Sequence, residues 1–174
     1  LIGVALISSP APPGSSNLGM HPMFRLVNFL MGASPKLHRR MMQQTADQMC
    51  RNPAKFFAQW GKMSHADGRL FHSRPAVREM IAAEMGEALH QGIDAILHEH
   101  PLYKRPWGFD LKAIRLPVYI WHGLADPQAS PVWSRYLAAQ ISQAIPNFIA
   151  NEGHFSVVVN HQADILARVV HGEN

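Results

Sequence analysis

The sequence predicts an α/β fold built on a small parallel sheet, and three observations carry that expectation. Apolar, β-branched runs of strand length occur at Leu1 to Ser9, Val118 to Trp121 and Asn147 to Ala150. A stretch with helical spacing separates the second run from the third, the order that gives parallel strands joined by right-handed crossovers. Between the first and second runs, Met20 to about Phe109 has helical periodicity throughout and no credible strand.

The 174 residues are enough for one domain, and 47% hydrophobic content suits a soluble chain with a real core. The chain begins with Leu1 inside an apolar run, so a further N-terminal portion is expected to precede it. L-I-G-V-A-L-I has no basic segment before it and is too short for a signal peptide, so it reads as a strand. No stretch approaches the ~20 apolar residues of a membrane span. Cys50 is the single cysteine, which excludes an intramolecular disulfide and fits a reducing, cytoplasmic compartment; it is expected to be a small buried residue. Nine Lys or Arg residues fall between Lys36 and Arg78 against only Asp47 and Asp67. With no groove-reading motif beside them they read as a solvated helical face, and no nucleic-acid partner is expected.

Taken in order, Leu1 to Ser9 is a buried strand closed by Pro10, Pro12, Pro13 and Gly14. Ser8 and Ser9 would sit at its carboxyl end and line a ligand crevice. Phe24 to Met31 and Met41 to Cys50 form helical segments, and Pro53 opens a helix through Phe56, Phe57, Trp60 and Met63 with Asn52 as its cap. Ser73-Arg74-Pro75 opens another toward Leu89, and a further helix after Gly92 is ended by Pro101. All nine methionines lie at or before Met85, and such adaptable side chains suit a core that also lines an apolar pocket. The histidines here, His98 and His100 among them, read as surface or capping residues. Without H-E-x-x-H or a cysteine cluster, neither a metal nor another cofactor is expected. After Phe109, the strand Val118 to Trp121 turns at His122-Gly123 and presents Asp126. A helix from Pro131 to Gln143 follows, then the strand at Asn147, the turn Asn151-Glu152-Gly153-His154-Phe155, and a helix from Val157 to Val170.

Asp126 and His154 thus both fall just beyond strand carboxyl ends, where open parallel sheets bind their ligands. An imidazole can take the proton of a serine hydroxyl, and a carboxylate on its other nitrogen fixes the tautomer and stabilises the imidazolium.

V-A-L-I-S-S-P at Val4 to Pro10, R-P-W-G-F-D at Arg105 to Asp110, P-V-Y-I-W-H-G-L-A-D-P at Pro117 to Pro127 and E-G-H-F at Glu152 to Phe155 together resemble the C-terminal half of the α/β-hydrolases. The resemblance implies a partial α/β-hydrolase fold: a three-stranded parallel sheet remnant, the sixth to eighth strands, with flanking helices and a large helical cap. Residues 1–10 would be a core strand, 11–109 the cap, and 110–174 the rest of the core. It makes Asp126 the triad acid and His154 the general base, with Ser8, Ser9 and Phe155 lining the substrate site. No G-x-S-x-G nucleophile turn occurs in these residues. The serine is expected upstream, and the chain alone is expected to be inactive. The implied activity is cleavage of a small or medium apolar ester. A peptidase, epoxide hydrolase or dehalogenase of the same fold, or a non-catalytic binding module, are the alternatives. An unpaired apolar edge on the first strand would favour a homo-oligomer through Leu1 to Ile7.

Overall fold

The computed structural model describes residues 3–172; Leu1 and Ile2 of the expected first strand lie outside the described residues. The chain divides into two units, one of Leu1–Met20 with Pro106–Asn174 and one of His21–Arg105.

The first unit carries three parallel strands, β1 (Val4–Ile7), β2 (Val118–Gly123) and β3 (Ala144–Ile149), in the order β1-β2-β3. Every residue of β2 is buried, because a helix covers each face of the sheet. Val118 and Ile120 point to one side and pack with Leu111, Leu137 and Ile141, while Tyr119 and Trp121 point to the other and pack with Ile165. That two-sided burial is why the strand reads as a continuous apolar run. Leu137 belongs to the crossover helix Pro131–Gln140, and Ile165 to the last helix, Ser156–His171.

Several boundaries differ from the sequence reading: β1 stops at Ile7 rather than Ser9, and β2 runs on through His122 and Gly123 rather than ending at Trp121. The third strand starts at Ala144 rather than Asn147 and runs through Pro146, which an end strand tolerates because its missing N–H faces away from the ladder. The crossover helix stops at Gln140 rather than Gln143, where the backbone of Ile141 turns extended and sends its side chain into the core.

The second unit holds α1 (Pro22–Ala33), α2 (Pro35–Arg51), α3 (Pro53–Met63), α4 (His65–Ser73), α5 (Pro75–Ala88) and α6 (Asp94–Glu99); the two helices of the first unit are α7 (Pro131–Gln140) and α8 (Ser156–His171). Asn52 caps α3 by accepting from the Lys55 N–H at 3.0 Å, and Ser64 caps α4 through the Asp67 N–H at 3.2 Å. Both satisfy amides that a helix start leaves without partners. Helices α3 and α4 meet at Gly61 and Gly68, where a Cβ on either would lie 3.2 Å or less from the other's backbone. The buried Asp67 accepts from the Trp60 indole at 2.7 Å and joins the same pair of helices. Pro101 does not end the helical path after α6: it opens a 3-10 turn over His100–Lys104.

Two residues of this unit are corrected by helix phase. Cys50 is exposed, because it lies one position, a rotation of about 100°, beyond the buried Met49. His38 shares the buried face of α2 with Ala46 and Met49, and its Nε2 lies 3.1 Å from Nδ1 of His100. It is therefore a core residue rather than a surface one. Burial holds both rings below their ordinary value of 6.5.

At the carboxyl end of β2, Gly123 runs against the carbonyl oxygens of Glu152 and Gly153 so closely that a Cβ would fall deep inside van der Waals contact. Gly123→Ala is expected to destabilise the protein by about 1–3 kcal/mol. Gly86→Ala in α5, where a Cβ meets nothing within 4 Å, is expected instead to stabilise by about 0.5–1 kcal/mol. Urea midpoints of the two variants, measured side by side, check both signs.

Candidate functional site

Asp126 and His154 are carried by the two turns that follow β2 and β3. The register pairs His122 with Phe148 and Gly123 with Ile149, so the two strands end level. Beyond them the turns are stitched together: Leu124 N–H donates to Ile149 O and Ala125 N–H to Glu152 O, each at 2.9 Å. Asn151 takes a left-handed backbone with φ 63°, which an asparagine accepts at small cost, and this reverses the chain after β3. Gly153 N–H then donates to the Ser156 hydroxyl at 2.7 Å, fixing the entry to α8 directly after His154.

Asp126 and His154 come together. Nδ1 of His154 lies 2.8 Å from Oδ2 of Asp126, whose side chain is wholly buried, while the His154 side chain retains 24% of its surface. The carboxylate can only accept, so Nδ1 carries the proton and the neutral ring has its lone pair on Nε2. The other carboxylate oxygen accepts from Gln128 N–H at 2.7 Å and Ala129 N–H at 2.9 Å. Asp126 therefore braces its own turn and not the following helix, which Ser130 caps through Val132 N–H. Burial alone would push the Asp126 carboxyl up, but the hydrogen bond and charge of His154 and the two backbone amides hold it below its ordinary 3.8.

The other residues singled out in the sequence are distributed around this turn. Phe155 is half-buried, its ring edge-on to His154 at 5.5 Å between centroids. Ser8 follows β1 with φ 47°, and its N–H donates to Trp121 O at 3.0 Å. The Ser8 hydroxyl is buried with no hydrogen-bond partner among the described residues. Ser9 is half-buried beside it. A cleft in the same unit, lined by Pro12, Pro13, Trp107, Phe109 and Tyr136, does not include Asp126 or His154. Among the described residues no group of three or more His, Cys, Asp or Glu side chains could hold a metal. No helix among them is long and apolar enough to cross a membrane.

Sequence reasoning passed over His122 and Ser134. His122 is the fifth residue of β2 and not part of a turn, fully buried, and its Nδ1 lies 2.7 Å from the Ser134 hydroxyl on α7. Burial holds its ring below 6.5 against the opposing pull of Asp126. A lone polar residue inside an apolar strand was the available signal.

No family model matches the sequence, and no curated protein does. Solved structures do. A Rhodococcus esterase is 13% identical with a TM-score of 0.54, over 98% of this chain and 55% of that one. A thermophilic esterase from Thermogutta terrifontis is 20% identical with a TM-score of 0.53, over 99% and 55%. A bromoperoxidase from Bacillus anthracis is 13% identical with a TM-score of 0.51, over 97% and 56%. At such identities the likeness speaks for the fold alone. The fold is that of the α/β-hydrolases. This chain spans a little over half the length of the solved structures it matches.

Besides His38 and His100, two groups at this site contribute to the acid limit of stability. His122 is held below 6.5, so the unfolded chain binds more protons there and stability falls as pH drops below 6.5. Asp126 is held below 3.8, so its contribution is complete above 3.8 and lost as pH falls through the folded value. Asp126→Asn is therefore expected to cost more in Tm at neutral pH than near pH ~3. It should also lower the His154 midpoint, because the carboxylate that favours its charged form is gone. Thermal melts and histidine NMR read these two effects.

Proposed function

We propose that this chain supplies the acid and the general base of a serine hydrolase that cleaves small or medium apolar esters. The reading rests chiefly on one observation, Asp126 Oδ2 against His154 Nδ1 at 2.8 Å within a hydrolase fold. Asp126 orients the ring and stabilises its imidazolium; His154 takes the proton of the nucleophile and returns it to the leaving alcohol. The serine and the oxyanion-binding amides are assigned to the half of the fold that this chain does not span. Residues 11–109 are proposed as the lid, whose methionine and phenylalanine content suits an apolar acyl group. Ser8, Ser9 and Phe155 are proposed to line the substrate site. Esterase names among the structural neighbours support this substrate class.

The test uses the product of the complete coding sequence. It is expected to hydrolyse an acyl series of p-nitrophenyl esters and to be labelled by a fluorophosphonate on one serine. His154→Ala and Asp126→Asn are expected to lower kcat/KM by roughly 10³–10⁴-fold. Absence of both turnover and labelling overturns the proposal. An aspartate in the nucleophile position would redirect it to epoxides or haloalkanes.

A further inference from the structure

We propose that His122 is a positioning residue for the acid–base pair, bracing the Asp126 turn through its hydrogen bond to Ser134. The inference rests on the reading of Asp126 and His154 given above and adds a residue to it.

His122 lies in the central strand with no exposed surface, and its Nε2 has no hydrogen-bond partner among the described residues. Burying an unpartnered ring nitrogen is unfavourable, and a leucine or phenylalanine would fill the volume without it. The side-chain hydrogen bond to Ser134, with the Ala129 backbone acting on the ring beside it, gives this position something that apolar packing cannot.

The position of that bond shows what it does. The chain leaves β2 after His122, makes the acid turn, and re-enters regular structure at Pro131. Ser134 lies in the first turn of α7 and is itself fully buried. The 2.7 Å contact between His122 Nδ1 and the Ser134 hydroxyl closes the base of the loop that holds Asp126. Inside the loop, Asp126 N–H donates to Gly123 O at 3.0 Å, and Trp133 N–H donates to Ser130 O at 2.9 Å. The Ser130 hydroxyl also donates to Leu18 O, tying the other shoulder of the loop down. Among the described residues, His122–Ser134 is a side-chain hydrogen bond that joins the strand before the acid to the helix after it. If it is lost, Ile120 and Leu137 still hold the strand to the helix, but the loop between them loses its polar closure and Asp126 the fixed placement that its bond to His154 needs.

Charge agrees with a neutral brace. The groups that act on the ring are Asp126, His154 and Arg135, together with the Ala129 backbone. A neutral ring leaves Asp126 as the counter-charge to His154, whereas an imidazolium at this position would compete for it.

The test follows the His154 ring in the protein by NMR, with uniformly labelled histidine and pH as the variable. It needs no catalytic turnover. Ser134→Ala and His122→Gln both break the brace; the first keeps the imidazole, and the second moves the polar atoms beyond the Nδ1 position. Both are expected to lower the His154 midpoint by about half the shift that Asp126→Asn causes. His122→Asn sets a polar atom about where Nδ1 lies and is expected to keep the wild-type midpoint. A purely structural role would lower Tm in all three without moving His154 selectively. If Asp126→Asn moves His154 while Ser134→Ala and His122→Gln do not, the positioning role is overturned. If Asp126→Asn itself has no effect, it is the acid–base reading that fails.

Discussion

The site depends on one close approach, the backbone of Gly123 against the carbonyls of Glu152 and Gly153. Two turns that leave neighbouring strands can touch only if one of them lacks a side chain at the crossing. With that space open, the amides of Leu124 and Ala125 reach Ile149 and Glu152, and the turns become one hydrogen-bonded surface. His154 is then two residues from a fixed carbonyl and Asp126 three residues from the crossing. Their 2.8 Å contact follows from backbone geometry before any attraction between the side chains is considered.

Attraction decides the protonation states instead. Removing a carboxylate from water costs several kcal/mol, and charge-assisted hydrogen bonds recover roughly 1.5–3 kcal/mol each. Asp126 has three such partners, Gln128 N–H, Ala129 N–H and His154 Nδ1, which is enough to hold the anion against its burial. His122 is the contrasting case in the same turn. Burial prevails there over the pull of Asp126, because the groups that touch the ring, the Ser134 hydroxyl and the Ala129 backbone, carry no charge, and the ring is held below 6.5. Of the three titratable groups brought together here, His154 alone keeps appreciable contact with water.

How much of this was legible in the sequence depended on whether a residue's signal was periodic or singular. Strand β2 was plain because burial on both faces leaves an unbroken apolar run, and Asp126 and His154 stood out as polar residues just past strand ends. Strand β3 was read three residues short at its start; the residues left out include Pro146, which is tolerable in a strand at the end of the sheet. Cys50 was placed in the core because it adjoins the buried Met49, one step round α2 from the buried face, and His38 at the surface because a polar residue type outweighed its place on that face. His122 was taken for a turn residue, since nothing local reveals a partner twelve positions away on the next helix. The buried Asp67 and its indole partner were silent for the same reason.

The economy of the arrangement lies in its locality. The hydrogen bonds described for the Asp126 carboxylate come from residues 128, 129 and 154, and the turn is closed at its base by 122 and 134. Strands β2 and β3 with α7 and the start of α8 thus supply the hydrogen bonds described between and around Asp126 and His154. Strand β1 adds Ser8, which reaches the same level of the sheet through its N–H on Trp121 and brings a buried hydroxyl there. A chain that spans little more than half of its matched structures can accordingly hold this pair in full geometry. The pair is a property of one strand crossing, and whatever else the fold assembles must be brought to it.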